Sequence, residues 1–316
     1  MYELKILPQR KLREFLFCII LQESVRKNRI MDRIAIQGID GCNHFIAAQD
    51  YFEGRDISCV DCDTFPELAD TVERDPSVLG IMAVENTIAG SILQNYRLIE
   101  SRDLVIVGEY KLRIKHALVA LPGVEISDIR EINSHPMALR QCAEYLENLP
   151  GVKLVEKDDT AGSAKWISEN GLRDHAAICP AGAAALFGMN VLADGIETNK
   201  RNFTRFLILA HRSVADVVLK DLCPDGTVNK STLVFTLQHT AGSLSKVLSV
   251  LSFYDMNLTM IQSVPIIGKE WEYQFYINLL YADYHRYRQA IDAIRPLTGM
   301  LRVLGEYEDG RQSVTD

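Results

Sequence analysis

Positive charge is scarce in this sequence, which has 34 Lys and Arg residues against 42 Asp and Glu residues and a formal net charge of -8. Proteins that bind nucleic acid or anionic membrane surfaces usually carry an excess of basic residues. The charge balance therefore argues against both kinds of partner. Any anionic ligand must be held by a local arrangement of groups.

The apolar run near the N-terminus is short. Phe15–Leu21 has seven residues, whereas a membrane-spanning helix needs about 20. No small-residue cleavage site follows it, which argues against a secretory signal peptide. Met31 directly precedes the first clear strand pattern, so we hypothesise that residues 1–31 are an extension outside the fold. We expect a cytoplasmic protein with no membrane partner.

Paired cysteines and cofactor motifs are also lacking. The seven cysteines are scattered and odd in number, which favours a reducing compartment over a disulfide framework. Cys59 and Cys62 form a CxxC, but no second pair of similar spacing accompanies them, so we interpret both as strand residues. The sequence has no P-loop and no glycine-rich dinucleotide motif. We therefore expect no metal and no organic cofactor.

Short apolar runs alternate with helical patterns from Arg33 to Arg212. This alternation is typical of an α/β fold with a mostly parallel sheet. The segment 213–229 contains Pro, Gly, Asp and Asn close together and is predicted to be a linker. Beyond it, the pattern over 230–308 predicts a βαββαβ order, which is a ferredoxin-like unit. Residues 309–316 are predicted to be a C-terminal tail.

Polar residues follow several predicted strands of the first region. They occur at Glu85-Asn86-Thr87, at Ser134-His135-Pro136, at Thr160, and in the run from Asn202 to Arg205. In an open α/β sheet, the carboxyl ends of strands and the amino ends of helices face one crevice, where helix dipoles favour an anion. Taken singly, each residue is as well explained as a helix cap. Together they indicate a site.

Four segments in this order resemble the motifs of the prephenate dehydratase family: AVENTIAGSI, INSHPMALRQC, DDTAGSA and NKRNFTRFLILA. The resemblance implies a catalytic region of two lobes similar to periplasmic binding proteins, with the site between them. Lobe one would comprise 32–110 and 195–212, and lobe two 111–194. The unit at 230–308 would be an ACT-type amino-acid-sensing domain.

The resemblance also implies an activity, the conversion of prephenate to phenylpyruvate, carbon dioxide and water without a cofactor. Two alternatives stay open: an arogenate dehydratase, and a two-lobed amino-acid sensor without catalysis. The implied catalytic residues are Thr204, Asn86, Gln141 and Glu85. The implied substrate-binding residues are Arg205, Thr87, Ser134, Thr160, Phe206 and Asn202.

Several of these roles have a structural alternative. Arg205 would bind a carboxylate with bidentate geometry, but an inter-lobe salt bridge explains it equally well. Glu85 is better explained as a partner of an arginine than as an acid, and His135 as a capping residue. The glycine loop departs from the family at Cys42 and Asn43, so its role is open.

Regulation by phenylalanine is the last implication of the resemblance. The implied sensing residues are Gly242, Ser243, Leu244, Gln262 and Ser263. Gln262 stands where the family has Glu and Val264 where it has Arg, so we expect a weakened response. Because ACT domains commonly associate, we expect a homodimer or a homotetramer.

Overall fold

The computed structural model describes residues 32–266, 268 and 272–313. The hypothesised N-terminal extension and its apolar run lie outside the described residues. Within the described part, three groups of secondary-structure elements follow one another along the chain. They correspond to a first lobe, a second lobe and a C-terminal unit.

The first lobe begins with alternating strands and helices. They are β1 (Arg33–Gln37), α1 (Asn43–Tyr51), β2 (Ser58–Cys62), α2 (Phe65–Arg74), β3 (Val78–Asn86), β4 (Gly90–Ser91), α3 (Leu93–Glu100) and β5 (Leu104–Arg113). Strands β1, β2 and β3 are parallel. Their carboxyl ends, followed by the amino ends of α1 and α2, therefore lie at one edge of the sheet.

The second lobe repeats this arrangement in smaller form. Its elements are β6 (Ala117–Ala120), β7 (Glu131–Ser134), α4 (Pro136–Gln141), α5 (Ala143–Leu146), β8 (Lys153–Glu156), α6 (Thr160–Asn170), β9 (His175–Cys179), α7 (Ala181–Leu186) and β10 (Asn190–Ala193). The chain then returns to the first lobe as β11 (Phe203–His211), which lies antiparallel between β3 and β5. Two connections, before β6 and before β11, thus join the lobes.

The C-terminal unit has the predicted ferredoxin-like order. It comprises β12 (Lys230–Thr236), α9 (Ser243–Phe253), β13 (Asn257–Pro265), β14 (Tyr273–Leu280), α10 (Tyr284–Ile294) and β15 (Leu301–Tyr307). The strands are antiparallel in the order β13-β14-β12-β15. In helix α9, Val247 and Leu251 are buried as the helical spacing predicts.

This unit is joined to the first lobe. Strand β15 meets β5 at one parallel pair, Gly305 with Ile106, so that the sheets are continuous. A Cβ on Gly305 would lie only 2.2 Å from the Ile106 carbonyl oxygen, so only glycine permits this approach. Tyr276 and Tyr307 of the unit share a hydrophobic core with Leu207 of the first lobe.

Two predictions at the ends of the C-terminal unit were wrong. The predicted linker contains helix α8 (Ala215–Leu222), whose Val218 is buried in the first lobe. The Pro and Gly residues that suggested a linker all follow this helix. The predicted tail contains strand β16 (Arg311–Gln312), which pairs with β5. Two residues are too short a strand for a sequence pattern to reveal.

Candidate active site

Thr204 and Asn86 face each other where two central strands of the first-lobe sheet, β11 and β3, begin and end. They are paired in register at the start of β11 and the end of β3. Asn86 Oδ1 accepts hydrogen bonds from the backbone N–H groups of Ile88 and Ala89, both at 2.9 Å. The Asn86 amide nitrogen must then point the other way, and it donates to Thr204 Oγ1 at 3.0 Å.

This contact determines what the Thr204 hydroxyl can do. Its oxygen already accepts a hydrogen bond from Asn86, while its side chain is only half-buried. A hydroxyl that accepts one hydrogen bond retains its own proton as a donor. Thr204 can therefore donate that proton to an oxygen atom in the cleft.

A chain of buried amides continues from this pair into the second lobe. Asn86 Nδ2 donates to Asn202 Oδ1 (2.7 Å), and Asn202 Nδ2 donates to Gln141 Oε1 (3.0 Å). Asn202 lies on the segment that returns from lobe two, and Gln141 ends helix α4 of lobe two. The chain therefore links the two lobes, and it brings together four of the predicted site residues: Thr204, Asn86, Asn202 and Gln141.

His116 extends the chain and was not predicted. Its Nε2 lies 2.9 Å from Gln141 Oε1, to which it must donate, and its backbone N–H donates to Glu197 (3.0 Å). Burial lowers the pKa of His116 below its ordinary value, because charging a buried imidazole is unfavourable. The sequence signal, a single His inside the run IKHALVA, resembles any buried histidine.

The side-chain amide nitrogen of Gln141 is available to donate hydrogen bonds to a ligand. Its Oε1 accepts from two groups, whereas its Nε2 makes no hydrogen bond to any residue that the structure describes. An amide nitrogen carries two donors. With the Thr204 hydroxyl, the site therefore presents neutral donors from both lobes.

Three helices begin at the carboxyl ends of strands that face the cleft, and none has an acidic residue in its first turn: α1, α4 and α6. By contrast, α2 has Glu67 there. His135 caps α4 by accepting from the Met137 N–H, as its structural alternative anticipated. Asp159 caps α6 and accepts from Gly162 at 2.6 Å. Helices α1 and α4 thus carry no acidic side chain in their own first turns, which favours a carboxylate there, but the Asp159 carboxylate lies near the N-caps of both and reduces this attraction.

The lobes touch beside these helices. A Cβ on Gly38 would lie 3.6 Å from Asp159 Oδ1, and one on Gly41 would lie 3.1 Å from the Ala183 side chain. Burial raises the pKa of Cys42 to about 12, so its thiol stays protonated at neutral pH. In this unusual glycine loop, Cys42 acts as a packing residue between lobes and not as a nucleophile.

Of the three hydroxyl residues predicted to bind substrate, two hold their hydroxyls in contacts within the protein. The Thr87 hydroxyl donates to the Arg201 carbonyl and accepts from the Phe203 N–H, which ties β3 to the returning segment. Ser134 is fully buried and donates to the Ile178 carbonyl at 2.6 Å. Thr160 is 8% exposed at the start of α6. Thr87 and Ser134 thus use their hydroxyls within the protein.

Three predicted site residues lie outside this chain of hydrogen bonds: Arg205, Glu85 and Phe206. Successive residues of a strand point to opposite faces, so Arg205 points away from Thr204. It lies 3.5 Å from Glu85 and 3.7 Å from Glu109, both of the first lobe, and is 8% exposed. The predicted partnership of Glu85 with an arginine is therefore present, whereas among the described residues Arg205 makes no salt bridge to the second lobe. Phe206 is 1% exposed and packs against His44, so it is a core residue.

The predicted sensing residues divide between two faces of the C-terminal unit. Gly242, with a φ of +79°, Ser243 and Leu244 form the start of α9 on one face. Gln262 points to the other face, with Met260 and Val264, and donates to Ser91 of the first lobe at 3.3 Å. Ser263 alternates with Gln262 and is exposed.

A pH-dependent stability follows from His44 on helix α1. Its Nε2 accepts from the Ala83 N–H, and burial lowers its pKa from 6.5 to about 3. In the unfolded chain it takes up a proton near pH 6.5, whereas in the folded protein it does not. Stability should therefore fall as the pH drops below 6.5, by about 2 kcal/mol from this group at pH 5.

Urea unfolding at pH 7 and pH 5 checks this expectation. In His44→Gln, the Gln oxygen can still accept from Ala83 but does not titrate. We expect the variant to lose less stability between the two pH values than the unsubstituted protein. Equal losses would show that His44 does not carry the effect.

Neither a metal site nor a membrane-spanning helix is present in the described part of the chain. Among the residues that the structure describes, no group of His, Cys, Asp and Glu side chains is arranged to hold a metal ion. In the same part of the chain, no helix has the length and apolar character needed to cross a bilayer.

Known protein families and curated proteins match most of this chain. The family profile described as prephenate dehydratase matches residues 34–214. Arogenate dehydratase 2 of Petunia hybrida is 35% identical over 291 residues, covering 87% of this chain and 71% of the relative. Arogenate dehydratase/prephenate dehydratase 2 of Arabidopsis thaliana is 35% identical over 297 residues, covering 91% of this chain and 75% of the relative.

Solved structures agree with the sequence comparison. A protein described as GqqA, a novel type of quorum-quenching acylase, is 28% identical with a TM-score of 0.77, covering 88% of this chain and 98% of its own. Prephenate dehydratase of Arthrobacter aurescens in complex with L-Phe is 26% identical with a TM-score of 0.77, covering 90% of this chain and 93% of its own. The two-lobed fold class predicted from the sequence is confirmed. From its motifs, its fold and these relatives, we conclude that this chain belongs to the prephenate dehydratase family.

Proposed function

We propose that this protein converts prephenate to phenylpyruvate, carbon dioxide and water. The observation that carries the proposal is the chain of hydrogen bonds from Thr204 through Asn86 and Asn202 to Gln141. It places a hydroxyl donor of one lobe and amide donors of the other around a single cleft. The relatives named as arogenate/prephenate dehydratases support the same activity.

The chemistry needs little beyond such donors. In prephenate, the bond between the ring and its carboxylate breaks, the electron pair moves into the ring, and the hydroxyl across the ring departs. The departing hydroxyl takes up one proton from solvent, so that carbon dioxide, water and an aromatic ring result. Thr204 would hydrogen-bond the departing hydroxyl; as an aliphatic hydroxyl it is a weak acid, so stabilisation of the leaving group is its main contribution.

The two substrate carboxylates require positive potential. The cleft side of this site offers the amino ends of α1 and α4, which have no acidic residue in their first turns. Gln141 Nε2 would add a neutral donor. In this assignment Arg205 and Phe206 support the strand that carries Thr204, and they do not touch the substrate.

Arogenate is the alternative substrate, because the Petunia relative is named an arogenate dehydratase. It differs from prephenate in carrying an amino-acid side chain in place of the pyruvyl group. The test is phenylpyruvate formation from prephenate and phenylalanine formation from arogenate, by the full chain. Product from prephenate supports the proposal, product from arogenate alone would replace the substrate, and no product from either would overturn the dehydratase activity.

An acylase activity, which is named for one structural relative, has weaker support in this chain. Acyl transfer requires an activated nucleophile. Burial raises the pKa of both Cys42 and Cys179 to about 12, which disfavours their thiolates. Thr204 accepts from an amide and has no base as a partner among the described residues.

We also propose that the C-terminal unit is an ACT-type domain that senses phenylalanine, as the Arthrobacter complex suggests. The assay above, repeated with phenylalanine, tests this proposal in the full chain. Leu244→Ala alters the start of α9, away from the contacts with the first lobe. Inhibition that is reduced by this variant supports sensing at α9, whereas no effect of phenylalanine on the unsubstituted protein would reject it. Sedimentation tests the predicted dimer or tetramer.

A further inference from the structure

The two strands that carry the Thr204–Asn86 pair also carry a charged pair on their opposite face. In register, Thr204 is opposite Asn86 and Arg205 is opposite Glu85. Because Thr204 and Arg205 are adjacent in the backbone, a group that holds Arg205 on one face of the sheet also affects the position of Thr204 on the cleft face. The pairing of β11 with β3 also shifts directly after Arg205, so on this side the regular ladder is interrupted, whereas the pairing with β5 continues in register.

The C-terminal unit supplies two of the three shortest contacts of the Arg205 guanidinium, and the first lobe supplies the third. In the amide orientation that satisfies both of its ends, Asn278 Oδ1 accepts from the two terminal nitrogens of Arg205, at 2.6 and 2.8 Å. Tyr96 of the first lobe makes a further contact at 2.5 Å. The carboxylates are farther away, with Glu85 at 3.5 Å and Glu109 at 3.7 Å.

Asn278 is itself held rigidly. It is fully buried on β14, and its Nδ2 donates to Thr232 Oγ1 at 2.8 Å. Thr232 in turn contacts the hydroxyl of Tyr307 at 2.7 Å, and both of these residues are fully buried. A buried guanidinium whose hydrogen bonds end on such a network cannot change its position without leaving donors unpaired.

A second contact from the same face reaches the short strand β4, which pairs with β3. Gln262 donates to Ser91 of β4 at 3.3 Å, and Ser91 pairs with Glu85 next to Asn86. The C-terminal unit thus contacts β11 directly and β3 through β4.

We propose that Asn278 is a positioning residue for the active site, acting through Arg205 on Thr204 and Asn86. The proposal rests on the proposed dehydratase function. It means that the cleft of the two lobes is completed from outside by a residue of the C-terminal unit. A movement of that unit would then alter the geometry at Thr204 directly.

The test compares three variants of the full chain. Asn278→Leu keeps the side-chain volume and removes the acceptor. Asn278→Asp keeps an acceptor for both guanidinium nitrogens. Tyr276→Phe is the matched control, because it removes a hydrogen bond from the same strand to Glu100 (2.5 Å) that does not reach β3 or β11.

We expect Asn278→Leu to lower kcat by about tenfold to a hundredfold, since a small displacement of a catalytic group has effects of this size. The KM should change less than kcat. Asn278→Asp should stay within about threefold of the unsubstituted kcat, because the charge-assisted contact remains. Tyr276→Phe should leave kcat unchanged.

Other results would overturn the proposal. It fails if Asn278→Leu retains normal kcat, if Tyr276→Phe lowers kcat equally, or if only KM responds. Should Asn278→Leu not fold, Thr232→Val releases the Asn278 amide while leaving its acceptor, and must lower kcat in the same direction.

Amide hydrogen exchange separates this proposal from the proposed function. If the unsubstituted protein forms no product from prephenate or arogenate, the dehydratase proposal fails. The positioning proposal is then decided by exchange in residues 203–206. Faster exchange there in Asn278→Leu, but not in Tyr276→Phe, supports it, and unchanged exchange rejects it.

Discussion

Thr204→Val should lower kcat for phenylpyruvate formation by about a hundredfold to a thousandfold, the range found when a donor to a developing charge is removed. Valine keeps the shape of threonine and removes only the hydroxyl. The fold should persist because the Asn86 amide keeps two other acceptors, Asn202 Oδ1 at 2.7 Å and the Phe203 carbonyl at 3.2 Å. Steady-state kinetics with prephenate, beside a circular dichroism spectrum, measures both effects.

Thr204→Ser is the control for this prediction. It restores a hydroxyl at the same position, so its kcat should lie much closer to that of the unsubstituted protein. The KM should change little in both variants, because the interaction is made mainly as the hydroxyl departs. Near-normal turnover in Thr204→Val would remove Thr204 from the mechanism and leave its contact with Asn86 as a structural one.

Lys230→Met should lower the free energy of unfolding by about 3 kcal/mol, because it removes one partner of a buried ion pair. The Lys230 ammonium lies 2.8 Å from Glu109 and 2.8 Å from Asp309, and the Lys230 and Glu109 side chains are 4% and 0% exposed. Burial acts to raise the pKa of Asp309, but hydrogen bonds from Lys230 and Lys111 hold it below its ordinary value. The substitution leaves the buried Glu109 side chain without its shortest ion-pair contact, with Lys111 at 3.4 Å and Arg205 at 3.7 Å as its remaining cationic neighbours.

Lys111→Met is a matched control for Lys230→Met. Lys111 approaches the same two carboxylates, at 3.4 and 3.1 Å, but its side chain is 29% exposed. Removal of the Lys111 ammonium should lower the free energy of unfolding by less than about 1 kcal/mol, as for other partly exposed ion pairs. Urea unfolding followed by circular dichroism compares the two. Similar losses would mean that burial of Lys230 does not decide the stability of this contact.

Removal of the C-terminal unit would disturb the first lobe. Tyr276 and Tyr307 lie in one hydrophobic core with first-lobe residues such as Leu207. A chain cut in the segment 213–229 would expose that core and remove Lys230, which makes the shortest ion-pair contact of Glu109. Single substitutions in the full chain therefore separate regulation from stability better than a truncation does.

Much of the candidate site followed from the sequence because it depends on strand ends. Asn86 ends β3 and Thr204 begins β11, and both positions are marked by polar residues directly beside long apolar runs. The motif order then indicated that these ends belong to one cleft. The partnership of Glu85 with an arginine was also foreseen as an alternative.

The errors share one cause. An alternating pattern reveals which residues share a face, but β11 is buried on both faces, from Phe206 on one side to Leu207 on the other. Such a strand has no polar face to mark the cleft. Arg205 and Phe206 were assigned to the substrate from the family motif, and the pattern of β11 could not separate them from Thr204; His116 could not be distinguished from an ordinary buried histidine.

By itself, the sequence determined the family, the α/β lobes, the ferredoxin-like unit and the residues at the strand ends, since all of these are encoded in local periodicity and motif order. Only the tertiary structure decided which groups meet: Gln141 with His116 across 25 positions, and Arg205 with Asn278 across domains. Such pairings depend on how whole elements pack. The hydrogen-bond partner of Arg205 is set by the packing of the C-terminal unit against the first lobe, and no local pattern around Arg205 carries that information.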